Sequence, residues 1–86
     1  MYFLVERHWP GVDEIEAMEA LRRVKAGCAR LAAGGVAIRW VDGMFVPSDE
    51  TLSTRLDGTS HAVRSAYEIA GEPFDRILPI CRVEAD

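Results

Sequence analysis

The chain is poor in the residues from which metal clusters and covalent catalysts are made. It has two cysteines and two histidines. Cys28 and Cys81 stand far apart and in no CxxC pair, a spacing that carries no zinc-ribbon or thioredoxin-type signal. Both fall on predicted apolar faces, so the expectation is two reduced core thiols in a cytoplasmic protein. Positive charge is also scarce: Lys and Arg number 10 against 14 Asp and Glu, giving a net charge of −4 and a pI near 5.1. That balance argues against a sequence-independent grip on nucleic acid and against a polybasic membrane surface. Long apolar runs are missing. Glu6 and Arg7 interrupt the first one directly after Val5, which fits no signal peptide, and no run approaches the roughly 20 residues of a membrane span. Glycine-rich phosphate loops, nucleophile elbows and HExxH are all absent from the sequence.

What remains is a globular composition, 49% hydrophobic and 28% charged over 86 residues. It predicts a single domain spanning residues 1–86, small enough to gain from association with a second copy. Alternating residues predict a strand over Tyr2–His8, stopped by Pro10-Gly11. Asp13 with Glu16 has capping-box spacing, and Ile15, Met18, Leu21, Val24, Cys28 and Leu31 recur every three or four residues, predicting a helix with these on its inner stripe. Gly34-Gly35 ends that helix. A second strand follows over Val36–Val46, bent near Asp42-Gly43, then a polar turn at Pro47-Ser48-Asp49 and a third strand over Thr51–Asp57. Thr59 or Ser60 caps a second helix that carries Val63, Ala66, Tyr67 and Ala70 inward and closes at Gly71. The last strand is predicted over Arg76–Glu84, with Pro79 restricting it to an edge or a bulge. The order β-α-β-β-α-β suits an α+β, ferredoxin-like fold: a four-stranded antiparallel sheet with two helices on one face.

Strand parity sorts the sheet into two faces. Tyr2, Leu4, Glu6 and His8 group with Val36, Ile38, Trp40, Leu52, Thr54, Leu56, Ile77, Pro79, Cys81 and Val83 as the expected helix-covered face. Phe3, Val5 and Arg7 group with Ala37, Arg39, Val41, Ser53, Arg55, Leu78, Ile80 and Arg82 as the expected open face. An arginine from every strand then lies on a face with no helix left to cover it. Two such faces would pack together as a homodimer, a dimeric α+β barrel-like assembly, with the arginines meeting acids of the partner such as the Glu84-Ala85-Asp86 tail.

On this reading Glu6 and His8 are a carboxylate and an imidazole in an apolar layer, with bases roughly 6–7 Å apart. With Trp40, Thr54 and Tyr67 they would line a pocket for a small-molecule ligand, in which Glu6 or His8 acts as acid or base. The plainer alternative pairs Glu6 with a helix arginine such as Arg22 and leaves His8 in solvent. His61, in the first turn of the second helix, is a solvated residue near a cap or a metal ligand with donors from elsewhere. Asp13, Glu14, Glu16 and Glu19 read as a solvated helix start that suits the helix dipole. Trp9 walls a pocket mouth or anchors the turn beside Pro10.

Phe3-Leu4-Val5-Glu6-Arg7-His8-Trp9-Pro10-Gly11 resembles the opening of a family of small bacterial proteins of unknown function that includes a ferredoxin-like, nickel-binding homodimer from an actinobacterium. Phe45-Val46-Pro47-Ser48-Asp49-Glu50 and Gly71-Glu72-Pro73-Phe74-Asp75-Arg76 extend the likeness over nearly the whole chain. The resemblance implies a homodimer that binds nickel or another divalent metal, without a motif that maps ligands residue by residue. Imidazole and carboxylate suit nickel, which makes His8, Glu6 and His61 the candidate ligands. By shape the fold is also similar to dimeric α+β barrel proteins, among them cofactor-independent oxygenases, isomerases and cyclases, so a metal-binding protein and an enzyme stand as the two function classes.

Overall fold

A computed structural model of the chain describes residues 1–85. Strand β1 (Tyr2–His8) is followed by helix α1 (Glu14–Ala33), β2 (Arg39–Val46), a 3₁₀ turn (Pro47–Asp49), β3 (Thr51–Asp57), α2 (Ser60–Ala70) and β4 (Arg76–Ile80). The strands lie in the order β2-β3-β1-β4, all neighbours antiparallel, which is the ferredoxin-like arrangement. The molecule measures 38 × 36 × 18 Å, and its short dimension holds one sheet and one helix layer at about 10 Å each. The second sheet face is therefore open.

The helix boundaries follow from their caps. The Asp13 carboxylate accepts from the Glu16 N–H at 2.7 Å, and the Thr59 hydroxyl accepts from the Ala62 N–H at 3.1 Å. Gly71 closes α2 in the left-handed region at φ 67°, where a Cβ would be strained. β2 begins at Arg39 and β4 ends at Ile80, so both are shorter than predicted. Val41 is an extra residue between Trp40 and Asp42, a β-bulge one position before the expected bend. Pro79 sits on the edge strand, where no donor is required of it.

Two expectations about burial are corrected. Phe3 and Val5 are buried, and they pair with Leu56 and Thr54 of the core. The helix-covered side of β1 is thus Phe3, Val5 and Arg7, and Tyr2, Leu4, Glu6 and His8 belong to the open face. On α1 the inward stripe is Ala17, Ala20, Val24, Gly27 and Cys28, whereas Ile15 and Met18 are exposed. Small residues are used because the helices lie close: a Cβ on Gly27 would meet the Ala66 carbonyl oxygen at 2.7 Å. Of the two thiols, Cys28 is buried and Cys81 is exposed, because Cys81 lies past the end of β4.

Hydrophobic burial is divided. A main cluster holds Phe3, Val5, Val24, Cys28, Ile38, Leu56, Val63, Ala66 and Tyr67. A smaller one holds Val12, Ala17, Ala20 and Leu52, flanked by Trp9, Leu21 and Phe45.

Candidate functional site

Glu6 and His8 stand on the open face near the C-terminal end of β1. Glu6 lies between Ser53 of β3 and Arg76 of β4 in the sheet register, and both its oxygens accept from Arg76 Nη2, at 3.1 and 3.3 Å. Its ion-pair partner is a strand arginine, not Arg22 of the helix. His8 is exposed and lies opposite Thr51. Its backbone N–H donates to the Asp75 carboxylate at 2.5 Å, which fixes the loop before β4 beside it. The same end is held by Glu50: its carbonyl accepts from Trp9 N–H at 2.7 Å and its carboxylate from Gly11 N–H at 2.6 Å. Glu50 has φ 51°, the one non-glycine residue with positive φ among the described residues, so this end of the sheet stores a little backbone strain.

Trp40, Thr54 and Tyr67 lie on the other side of the sheet. Thr54 and Tyr67 are buried beneath the helices, and Trp40 packs half-buried against the main cluster with Lys25 5.1 Å from its ring centre. The expected pocket uniting them with Glu6 and His8 is not formed, because the sheet itself separates the two groups. Burial pushes the Tyr67 phenol up to about 12, with a hydrogen bond to Thr54 pulling the other way. Burial likewise pushes the Cys28 thiol up to about 11. Both stay protonated and inert near neutrality.

His61 is exposed on the first turn of α2, close to the Tyr2–Asp57 end of the sheet. His8 is at the far end of β1 and on the opposite face. The separation is roughly 20 Å, the length of the strand. One chain therefore cannot place both imidazoles on one ion. Among the described residues, no three His, Cys, Asp or Glu side chains converge as a metal site. Imidazole and carboxylate are donor types that suit nickel, and His8 with Glu6 would supply two, leaving the rest of a coordination sphere to a second chain or water.

The open face is ionic and apolar together. Arg55 pairs with Asp42, Arg39 lies 3.6 Å from Asp57, and Arg76 holds Glu6. The Arg55 guanidinium, by hydrogen bonding, holds the Asp42 carboxyl below its ordinary range. The strand arginines are thus satisfied by acids of their own chain. Arg82 reaches Glu84 at 3.5 Å, and Asp86, also expected to face a partner's arginines, lies outside the described residues. Between the pairs, Leu4 and Leu78 lie side by side, with Met44 beyond β3. A hollow of about 340 Å³ opens at the other end, lined by Tyr2, Val41, Arg55, Ile80, Cys81 and Arg82.

The arginine that parity assigned to this face from β1, Arg7, instead points inward. It donates to Glu72 at 2.8 Å, and Arg23 of α1 holds the other oxygen of the same carboxylate. Glu72 is only 8% exposed and Arg7 17%. The Arg7 guanidinium stacks on Trp9 at 3.5 Å from the ring centre. This triad was missed from sequence. The available signal was Glu72 directly after a helix-closing glycine and before Pro73, but its partners are distant along the chain.

No family model matches the chain, and no curated protein matches its sequence. Its fold matches the crystal structure of SCO4226 from Streptomyces coelicolor A3(2), with a TM-score of 0.75 over 98% of this chain and 100% of that one. The two are 16% identical, a likeness that shows the fold alone.

Proposed function

We propose that the protein is a homodimeric, nickel-binding-like protein that takes up nickel or a similar divalent ion through His8, with Glu6 as its neighbour and the second subunit completing the site. The observation that carries this reading is the placement of His8: an exposed imidazole two residues from a carboxylate on the same open sheet face. Imidazole nitrogen and carboxylate oxygen are both suited to nickel. Glu6 is engaged by one guanidinium at a surface where water competes, so its carboxylate can be drawn away at modest cost. The resemblance of the opening Phe3–Gly11 segment to a family with a nickel-binding member supports the same reading. A second copy is the natural source of the missing donors, because Leu4, Leu78 and Met44 leave apolar side chains on this uncovered face. His61 is too distant to join His8 within one chain, and on the helix side it lies away from the open face that the two copies would share.

The test is calorimetric titration of nickel into wild type, His8→Ala, Glu6→Gln and His61→Ala. Wild type should bind, His8→Ala should lose binding, and Glu6→Gln should weaken it by about tenfold, the equivalent of one donor worth roughly 1.4 kcal/mol. Equal affinity in wild type and His8→Ala would remove His8 as the ligand, and no heat in wild type would remove the function.

A further inference from the structure

At the Tyr2 end of the open face, the side chains carry more hydrogen-bond donors than their own chain uses. A guanidinium offers donors along more than one edge. Arg55 spends Nε and Nη2 on Asp42, and no hydrogen bond among the described residues engages its Nη1. Asp42 thus neutralises Arg55 and fixes its plane without exhausting its donors. Arg82 has Glu84 beside its Nε at 3.5 Å, with both side chains largely in water, a pairing worth little. The Tyr2 hydroxyl accepts from Arg39 at 3.5 Å, which leaves its own proton to donate.

Tyr2, Arg55 and Arg82 line the hollow of about 340 Å³, and no carboxylate among the described residues shares that lining. Its size falls in the roughly 300–1,000 Å³ of small-molecule sites, and the space is already there, so no side chain has to move to admit a ligand. Local structure makes the hollow. β4 ends at Ile80 and the chain leaves the sheet, which sets Cys81 and Arg82 along one side. Val41, the extra residue of the β2 bulge, lines the same hollow as Tyr2 and Arg55. A bulge re-aims a side chain in this way, and bulges gather beside functional sites. With Ile80, Val41 supplies an aliphatic wall.

We infer that this hollow is a binding site for a small aromatic carboxylate, whose oxygens take the unspent donors of Arg55, Arg82 and Tyr2 and whose ring lies against Val41 and Ile80. An anion is selected because the two guanidinium groups only donate and no carboxylate of the lining competes for them. A flat body is selected because guanidinium planes and the Tyr2 ring stack on flat groups. All the lining residues belong to one chain, so the site is complete before a second copy docks. It lies at the end of β1 away from His8, roughly 20 Å along the strand, and does not depend on metal binding.

The experiment is titration of cinnamate into the full-length protein, followed by calorimetry and by the rate at which iodoacetamide alkylates Cys81. Cinnamyl alcohol is the uncharged control of similar shape, and metal-free buffer separates this site from the nickel site. Cys28 is buried, so the exposed Cys81 is the thiol that reports. Cinnamate should bind saturably and slow the alkylation with the same midpoint, because Cys81 borders the hollow. The alcohol should bind at least about tenfold more weakly, and Arg82→Gln and Arg55→Gln should each weaken cinnamate about tenfold. Arg82 lies beyond β4, so its replacement leaves the sheet intact. No saturable binding of cinnamate, equal binding of the alcohol, unchanged affinity in both arginine variants, or binding that leaves the alkylation rate unchanged would overturn the inference.

Discussion

Arg7 and His8 are adjacent residues with opposite fates, and the difference is set by groups that a strand pattern cannot show. Tyr2–His8 has apolar residues on both faces at its start and charged ones on both at its end, so alternation alone does not choose which side is buried. Arg7 goes inside because Glu72, 65 residues away, neutralises it and Trp9 covers it. His8 stays outside, as the plainer of its two readings has it. Cys28 and Tyr67, by contrast, were legible as inner-face residues from helical spacing. Their burial yields a pH prediction. Each is an acid whose folded pKa is raised, Cys28 from 9.0 to about 11 and Tyr67 from 10.0 to about 12. The unfolded chain releases these protons first, so the stabilisation is complete below pH 9 and is lost as pH rises through 9–12. Urea midpoints measured from pH 7 to 12 should fall over this window. Cys28→Ala should remove the part of the decline that begins near pH 9, and an unchanged slope in that variant would assign the decline to other groups.

At the scale of elements, the order, the caps and the breaks were readable because they rest on local chemistry. Asp13, Thr59, Gly34 and Gly71 act within one turn of where they stand. The inner stripe of α1 was read correctly at Val24 and Cys28 and misread at Ile15 and Met18, because large apolar residues were taken as the buried ones. The helix instead buries Ala17 and Ala20 and approaches α2 at Gly27, against Ala66. Close approach of backbones is a property of the pair, and the sequence of one helix does not display it. Two glycines separate the cases. Gly27→Ala sets a Cβ against the Ala66 backbone oxygen and should cost about 1–3 kcal/mol, the range for overpacking a rigid contact. Gly43→Ala meets only the end of the Leu21 side chain, which can turn away, and should cost clearly less. Urea unfolding of the two variants checks the order, and a Gly27→Ala protein as stable as wild type would contradict the close-packed helix pair.

The whole molecule is a two-layer slab, 18 Å thick, with helices on one side and an uncovered sheet on the other. No helix of the described residues is long and apolar enough to cross a membrane. The uncovered side was foreseeable, since two helices cover one face of such a sheet. Its composition was not, because the flipped parity of β1 exchanged Phe3, Val5 and Arg7 for Tyr2, Leu4, Glu6 and His8. That exchange moved the candidate metal ligands from an internal pocket to the surface that a second copy would cover. The two proposed properties, dimerisation through the open sheet face and metal binding by His8 with help from the second subunit, are therefore joined at one surface. Leu78 lies on that face beside Leu4, on the β4 edge strand, which accepts a lysine readily, and it is four positions along the register from His8 and outside the helix-side core. The most direct measurement is sedimentation velocity together with nickel calorimetry on wild type and Leu78→Lys. Wild type should sediment as a dimer and bind nickel, while folded Leu78→Lys should sediment as a monomer and lose at least about tenfold in nickel affinity. A monomeric Leu78→Lys that binds nickel as wild type does, or a wild type that is monomeric and binds it, would contradict the shared site.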